Sequence, residues 1–151
     1  MLIKTRNNPM KKLLLSFALM LVAFTATATE RVKLNFNANW RLTVGDVAEA
    51  RNPGFDDSSW QPVTLPYAFN GDEAFKKDIV DLTDTITWYR KHFTVDVVDG
   101  RKFFAEFEGV RQGADFYLNG QELGFSENGV MACGLDLTPY IIKGENVLAV
   151  R

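Results

Sequence analysis

The chain has 151 residues, of which 46% are hydrophobic, 24% charged and 13% aromatic, the proportions of one ordinary globular domain with its own core. Removal of residues 1–28, a predicted signal peptide, leaves 13 basic against 19 acidic residues and a formal charge of −6. An acidic domain without a basic stripe is poorly suited to bind nucleic acid or an anionic membrane. We therefore expect neither as a partner.

The N-terminal segment has the features of a targeting signal. Four basic residues precede an apolar run over residues 13–24, and Ala26-Thr27-Ala28 supplies the small residues of a cleavage site. The run is too short to span a bilayer core of about 30 Å comfortably. We predict a secretory signal peptide over residues 1–28, with Met10 as an alternative start. The mature domain is then 29–151, periplasmic or secreted and free of the membrane after cleavage.

Two strand patterns and a loop follow in chain order. Apolar residues alternate with polar ones over 32–36 and again over 40–44, which predicts two strands. Residues 45–59 are rich in Gly, Asp, Asn and Ser and end before Trp60. We expect Trp60 to hold this loop against the core. A short helical turn is predicted near Asp72–Lys77.

The stretch Thr87–Gly124 contains three further strand patterns joined by turns. The first alternates an apolar face with a second face that carries Trp88, Arg90, His92 and Thr94. The third runs through Phe116 into Asn119-Gly120. Asn-Gly between two strand patterns is a strong hairpin signal, because a type I′ turn needs positive φ at both positions.

Short strands and turns continue to the last residue. In the segment Leu135–Tyr140, Asp136 and Thr138 are expected to bond to nearby backbone. The final strand pattern over 146–151 is cut in mid-run without a polar tail. This predicts a domain truncated at its C-terminal end, with a frayed last strand. In total, eight or nine short strands and no long helix predict an antiparallel β-sandwich, in which immunoglobulin-like and jelly-roll topologies both remain open.

Few residues are candidates for chemistry. Glu106 and Glu108 could approximate the carboxylate pair of a retaining glycosidase, but their alternation with apolar residues favours a solvated face. The only histidine, His92, is predicted at the surface or across from a neighbouring strand, and the only cysteine, Cys133, as a buried thiol. We therefore expect no catalytic residue, no metal site and no cofactor.

Aromatic side chains are the candidates for binding a sugar ring. Most of the 19 aromatic residues are needed for the core. Trp88, Tyr89 and Tyr117 are the best candidates for stacking on a ligand. Among them Trp88 is preferred, because it opens a strand in the phase opposite to the apolar face.

Three motifs together resemble a known family. YRKHF at 89–93, FEGV at 107–110 and FYLNGQELG at 116–124 follow in this order. In this order and spacing they resemble the N-terminal sugar-binding domain of family 2 glycosyl hydrolases, which include β-galactosidases, β-glucuronidases and β-mannosidases. Asp56 four residues before Trp60, followed by a Val-x-Leu-Pro segment, also resembles that family. Tyr67 stands where the family commonly has His.

The resemblance implies a galactose-binding-domain-like jelly roll whose catalytic glutamates lie in a separate (β/α)₈ barrel further along the parent chain. The partners are then carbohydrate and the following domains of a glycosidase, and this segment alone is inactive. Asp84 is expected at the rim of the pocket, with Trp88 and Arg90 also facing sugar. The alternatives are a stand-alone carbohydrate-binding module and a structural β-sandwich used for protein contact.

Overall fold

The structure is a computed structural model that describes residues 31–74, 83–96 and 98–151. The predicted signal peptide lies outside these residues. Within them are eight strands, namely β1 Trp40–Val44, β2 Gln61–Val63, β3 Thr87–Val95, β4 Phe104–Phe107, β5 Ala114–Leu118, β6 Gln121–Ser126, β7 Cys133–Asp136 and β8 Gly144–Val150. A 3-10 helix spans Ala48–Arg51 and a short helix, α1, spans Gly71–Ala74. Neither is long and apolar enough to cross a membrane, and the described ranges contain no helix that is.

The strands form two antiparallel sheets. The larger sheet has the order β2-β1-β3-β8-β5-β6, and the smaller pairs β4 with β7. One apolar core joins the two sheets, as in a β-sandwich. The all-β antiparallel prediction is confirmed. Helix α1 covers the start of the predicted helical turn, and the rest of that turn lies outside the described residues.

The inner face of the large sheet packs against the small sheet. Side chains alternate along each strand, so every second residue of β1, β5 and β8 enters this core. The buried residues include Trp40, Leu42, Ala105, Ala114, Phe116, Leu118, Leu137, Leu148 and Val150. Tyr89 and Phe93 of β3 pack against them, as the alternation predicts.

The outer face of the large sheet is covered by the chain itself. We call residues 45–60 the covering loop. Ala50 and Trp60 of this loop form a second buried cluster with Trp88 of β3 and Ala149 of β8. The prediction that Trp60 holds the loop against the core is therefore confirmed, although the cluster is separate from the main one.

The β5–β6 hairpin is confirmed with its predicted turn. Asn119 and Gly120 have φ of 52° and 84°, as a type I′ turn requires. Asn119 also ties the turn to β8: its Oδ1 accepts from the Val147 N–H at 2.9 Å, and its Nδ2 donates to Asn146 Oδ1 at 2.8 Å and to the Tyr140 carbonyl at 3.0 Å. Asn146 is itself fully buried.

Two local predictions are wrong. Residues 32–36 form no strand, and the side chains of Val32 and Leu34 are 71% and 77% exposed, so their alternation marks no buried face. The last strand is not frayed, because β8 lies inside the large sheet between β3 and β5. Arg151 even continues the pairing: its N–H donates to the Asp115 carbonyl at 2.9 Å, and its carbonyl accepts from the Asp115 N–H at 2.8 Å.

The turn at Asp99-Gly100 does not close a hairpin. Gly100 has φ of 68°, but β3 pairs with β1 and β8, whereas β4 pairs with β7 in the other sheet. The chain therefore crosses from one sheet to the other at this turn. Strand alternation alone does not distinguish these two outcomes.

Candidate functional site

An open pocket of about 230 Å³ lies between the covering loop and the outer face of the large sheet. Its lining is polar and aromatic, with three residues from the loop and three from the sheet: Asp46, Ala48, Arg51, Trp88, Tyr117 and Arg151. Polar groups that converge on a concave aromatic surface are typical of ligand sites.

Strand register brings the sheet residues of the pocket together. Tyr117 of β5 lies opposite Ala149 of β8, and Arg151 lies two residues after Ala149, directly after the end of β8. Asp46 reaches the same place because β1 ends in a turn at Gly45, whose φ of +116° is one that other residues rarely adopt. The Gly45 N–H donates to the Ile86 carbonyl at 2.8 Å and fixes this turn.

Arg151 joins two carboxylates across the pocket. Its Nε and Nη2 donate to the two oxygens of Asp46 at 2.9 and 2.8 Å, and its Nη1 donates to Asp115 Oδ2 at 3.1 Å. The Trp88 indole N–H also donates to Asp46, at 3.4 Å. Two-pronged pairing of this kind fixes orientation as well as distance. The covering loop is thereby tied to β8.

These contacts, together with burial, shift the pKa values of side chains in the pocket. The hydrogen bonds from Arg151 lower the pKa of Asp46, and the bonds to Asp46 and Asp115 raise the pKa of Arg151. Burial raises the pKa of the Tyr117 phenol, and the carboxylates of Asp115 and Glu122 add to this effect. At neutral pH the pocket therefore holds the ionised carboxylate of Asp46, the guanidinium of Arg151 and the neutral phenol of Tyr117.

Trp88 lines the pocket but does not offer an open ring face. Its side chain is only 1% exposed, and its ring stacks on that of Tyr117 at a centroid distance of 5.9 Å and an angle of 27°. Trp88 therefore supports Tyr117 from below. Tyr117, half-buried, is the aromatic residue that a ligand can reach.

Arg90 holds the covering loop from underneath. It is 0% exposed, and its Nη1 donates to the carbonyls of Ala50 and Asn52 at 2.7 and 3.0 Å. Its Nε lies 2.8 Å from Oδ2 of the buried Asp57. The sugar-facing role predicted for Arg90 stays a prediction, and its guanidinium is buried against the covering loop.

The other candidates lie elsewhere. Asp84 is exposed in an irregular segment before β3 and does not line the pocket, so its rim role stays a prediction. Tyr89 points to the opposite side of the sheet, where its hydroxyl donates to the Tyr67 carbonyl at 3.1 Å. Of the three aromatic candidates, Trp88 and Tyr117 are brought together and Tyr89 is separated from them.

The residues considered for catalysis or metal binding do not converge. Glu106 in β4 and Glu108 directly after it are exposed. His92 lies between Asp57 at 2.9 Å and Glu145 at 3.2 Å, which confirms a cross-strand position. Cys133 is half-buried, and burial raises its pKa. Across the described ranges, no three His, Cys, Asp or Glu side chains are arranged to hold a metal ion.

Sequence reasoning missed Asp46, Arg51 and Arg151. Asp46 and Arg151 are 105 positions apart, and no periodicity marks such a pair. The available signal was the Gly45-Asp46 turn directly after a strand, where an Asp commonly bonds to neighbouring groups.

Comparison with known proteins agrees with this architecture. The sequence profile of the glycosyl hydrolases family 2 sugar-binding domain matches residues 32–151. A β-glucuronidase of Formosa agariphila is 38% identical over 135 residues, which cover 83% of this chain and 14% of that protein. A β-galactosidase of Bacteroides ovatus is 36% identical over 135 residues, covering 84% of this chain and 16% of that protein.

A solved structure shows the same relation. The crystal structure of a Bacteroides uniformis β-glucuronidase superposes with a TM-score of 0.74 at 28% identity, covering 80% of this chain and 14% of that one. The chain thus spans about one sixth or less of the relatives named here. It belongs to glycosyl hydrolase family 2, and it corresponds to the sugar-binding domain of that family.

Proposed function

We propose that this chain is the non-catalytic, N-terminal carbohydrate-binding domain of a β-galactosidase-like glycosidase that hydrolyses O-glycosyl bonds. The observation that carries the proposal is the match to the family's sugar-binding domain over residues 32–151. In addition, this chain covers only 14% and 16% of the length of two related glycosidases. The catalytic barrel and the following domains of the parent enzyme are then its protein partners. A galactose-binding-domain-like jelly roll is the topology that fits this role.

The pocket supports carbohydrate as the ligand. Saccharides present hydroxyls around a partly apolar ring, and amphipathic aromatic side chains with nearby polar groups suit both parts. Tyr117 provides an aromatic ring next to the charged side chains of Asp46, Arg51 and Arg151. The pocket volume of about 230 Å³ suits one small ring or a single unit of a longer chain.

Secretion belongs to the same proposal. The basic, apolar and small-residue segments of residues 1–28 are those of a cleaved signal. Release at the cleavage site gives a periplasmic or secreted domain of residues 29–151 with no membrane attachment. Carbohydrate polymers outside the cytoplasm are then within reach of the parent enzyme.

The placement of the carboxylates among the described residues supports the non-catalytic part of the proposal. Glycoside hydrolysis needs two carboxyl groups that flank one bond, whereas Glu106 in β4 and Glu108 directly after it are exposed and Asp46 is tied to Arg151. The chain should give background rates with chromogenic galactosides, glucuronides and mannosides. Turnover that disappears in Glu106→Gln or Glu108→Gln would contradict the proposal.

Saccharide binding is the positive test. Titration calorimetry with the same sugars should detect binding that Tyr117→Ala removes. Tyr140→Ala, which changes a partly exposed tyrosine outside the pocket, is the matched control and should bind normally. If Tyr117→Ala leaves the affinity unchanged, the saccharide binds at another place on the domain. Equal affinity with and without the following domains would favour the alternative of a stand-alone binding module.

A further inference from the structure

The outer face of the β5–β6 hairpin continues the pocket surface. Tyr117 lies directly opposite Glu122, and Asp115 lies directly opposite Phe125. Directly opposed residues of an antiparallel pair project from the same face of the sheet, and both pairs are directly opposed although the register shifts between Phe116 and Tyr117. Glu122 therefore lies beside Tyr117, and Phe125 lies beside Asp115, on the face of the hairpin that carries Tyr117.

Phe125 is unusually accessible for its type. Its side chain is 67% exposed, although it lies on a paired strand next to the polar pair formed by Asp115 and Arg151. A large apolar ring at such a place leaves a flat surface available to a ligand. It is a stacking surface one strand away from Tyr117.

Two charged side chains beside Tyr117 are available to a ligand. Glu122 is exposed on β6, and Arg51 is exposed at the end of the 3-10 helix. Among the described residues, the ion pairs and hydrogen bonds include none to either side chain. Asp46, in contrast, has both carboxylate oxygens bonded to Arg151. The groups free to contact a ligand therefore include the Glu122 carboxylate, the Arg51 guanidinium and the Tyr117 phenol.

The backbone that carries Arg51 is fixed. Arg90 holds the carbonyls on both sides of it, those of Ala50 and Asn52. The hairpin turn also approaches this segment closely, since a Cβ on Gly120 would lie 3.4 Å from Pro53 Cδ. A preorganised donor loses less freedom when a ligand binds. Only the side chain of Arg51, and not its backbone, would therefore have to be ordered when a ligand binds.

The charges around Tyr117 favour an uncharged ligand. Three carboxylates, those of Asp46, Asp115 and Glu122, surround the phenol against the two guanidinium groups of Arg51 and Arg151. A further carboxylate on the ligand would add like-charge repulsion. Neighbouring hydroxyls, by contrast, can donate to Glu122 and accept from Arg51.

Resting on the carbohydrate-binding function proposed above, we infer that the site is an extended one for a neutral oligosaccharide. One sugar unit occupies the pocket at Tyr117, where Arg51 and Glu122 bind its hydroxyls. The adjoining unit stacks on Phe125. The affinity then depends on chain length, which a single pocket would not produce.

Calorimetric titration of the full chain with galacto-, manno- and cello-oligosaccharides of one to four units tests this. Affinity should rise from one unit to two or three with at least one series, and Phe125→Ala should abolish that rise while single units bind as before. Glu122→Gln should weaken binding about tenfold, the usual effect of losing a charge-assisted hydrogen bond. Oligogalacturonides should bind more weakly than their neutral counterparts.

Matched controls separate the site from general effects. Phe104→Ala removes another exposed phenylalanine, on the small sheet, and Glu127→Gln removes another exposed carboxylate. Both should bind as wild type. The inference is overturned by chain-length dependence that survives in Phe125→Ala, by equal losses in the controls, or by tighter binding of the uronates. If no saccharide binds at all, the proposed function fails with it, so the two failures are distinguishable.

Discussion

The two faces of the large sheet are buried in different ways. The inner face is filled by apolar side chains that alternate along β1, β5 and β8 and meet the small sheet. The outer face is covered by residues 45–60, and under this loop lie the charged side chains of Arg90 and Asp57. The inner face therefore depends mainly on apolar packing, whereas the outer face combines the smaller apolar cluster around Trp60 and Trp88 with paired charges and bonds to loop carbonyls.

The difference shows which parts of a sandwich can carry a ligand site. Apolar packing without polar groups offers nothing that orients a hydroxylated ligand. The buried Arg90 guanidinium fixes the backbone of the covering loop. The edge of the loop remains open to a ligand. The pocket lies at that edge, where Asp46 and Arg51 of the loop meet Tyr117 and Arg151 of the sheet.

The largest expected effect is on the inner face. Phe116 is 0% exposed and its ring lies 5.1 Å from that of Phe107. Phe116→Ala should lower the free energy of unfolding by about 4 kcal/mol, because the cavity cannot fill completely. Urea denaturation measures this. Phe125→Ala, on the outer face, should change it by less than about 0.5 kcal/mol. Similar losses in both variants would mean that the two faces are not packed differently.

The inner face is also the part of the fold that could be predicted best from the sequence. Alternation in β1, β3 and β5 and the Asn119-Gly120 turn identified strands, core side and hairpin, because each signal is contained in a few adjacent residues. The same alternation was misleading at residues 32–36, where no partner strand lies alongside. It also could not show that Arg90 bonds to loop carbonyls about 40 positions away, since nothing local distinguishes a buried arginine from an exposed one.

An intermediate effect is expected under the covering loop. Asp57→Asn removes the charge that compensates the buried Arg90 guanidinium, whose Nε lies 2.8 Å away. Removing one partner of a buried ion pair should lower the free energy of unfolding by about 3 kcal/mol. Asp84→Asn makes the same change at an exposed position and should be nearly neutral. A loss in Asp57→Asn no larger than in this control would show that the outer face does not rely on the pair.

The smallest effect is expected at the exposed end of the loop, and it should depend on pH. The pKa of Asp46 is lowered from 3.8, mainly by its hydrogen bonds to Arg151. A lowered carboxyl pKa in the folded state stabilises the fold above the unfolded pKa, and this contribution is lost as the pH falls through the folded value. Asp46→Asn should therefore melt slightly below wild type at neutral pH.

The same pH dependence provides the test. The difference in melting temperature between wild type and Asp46→Asn should shrink as the pH falls below 3.8, the ordinary pKa of the group. Differential scanning calorimetry over that range measures it. A difference that stays constant down to acid pH would mean that Asp46 stabilises the loop by packing rather than by its charge.

The side-chain bonds of Asn119 have a consequence for the chemical durability of the domain. Asn-Gly dipeptides deamidate when the glycine backbone nitrogen attacks the asparagine side-chain amide. In the folded domain that amide is held by Val147, Tyr140 and Asn146, so it is not free to rotate into the position of attack. Deamidation at Asn119-Gly120 should therefore be slow while β5 and β8 remain in place, and damage should accumulate mainly in molecules that have opened.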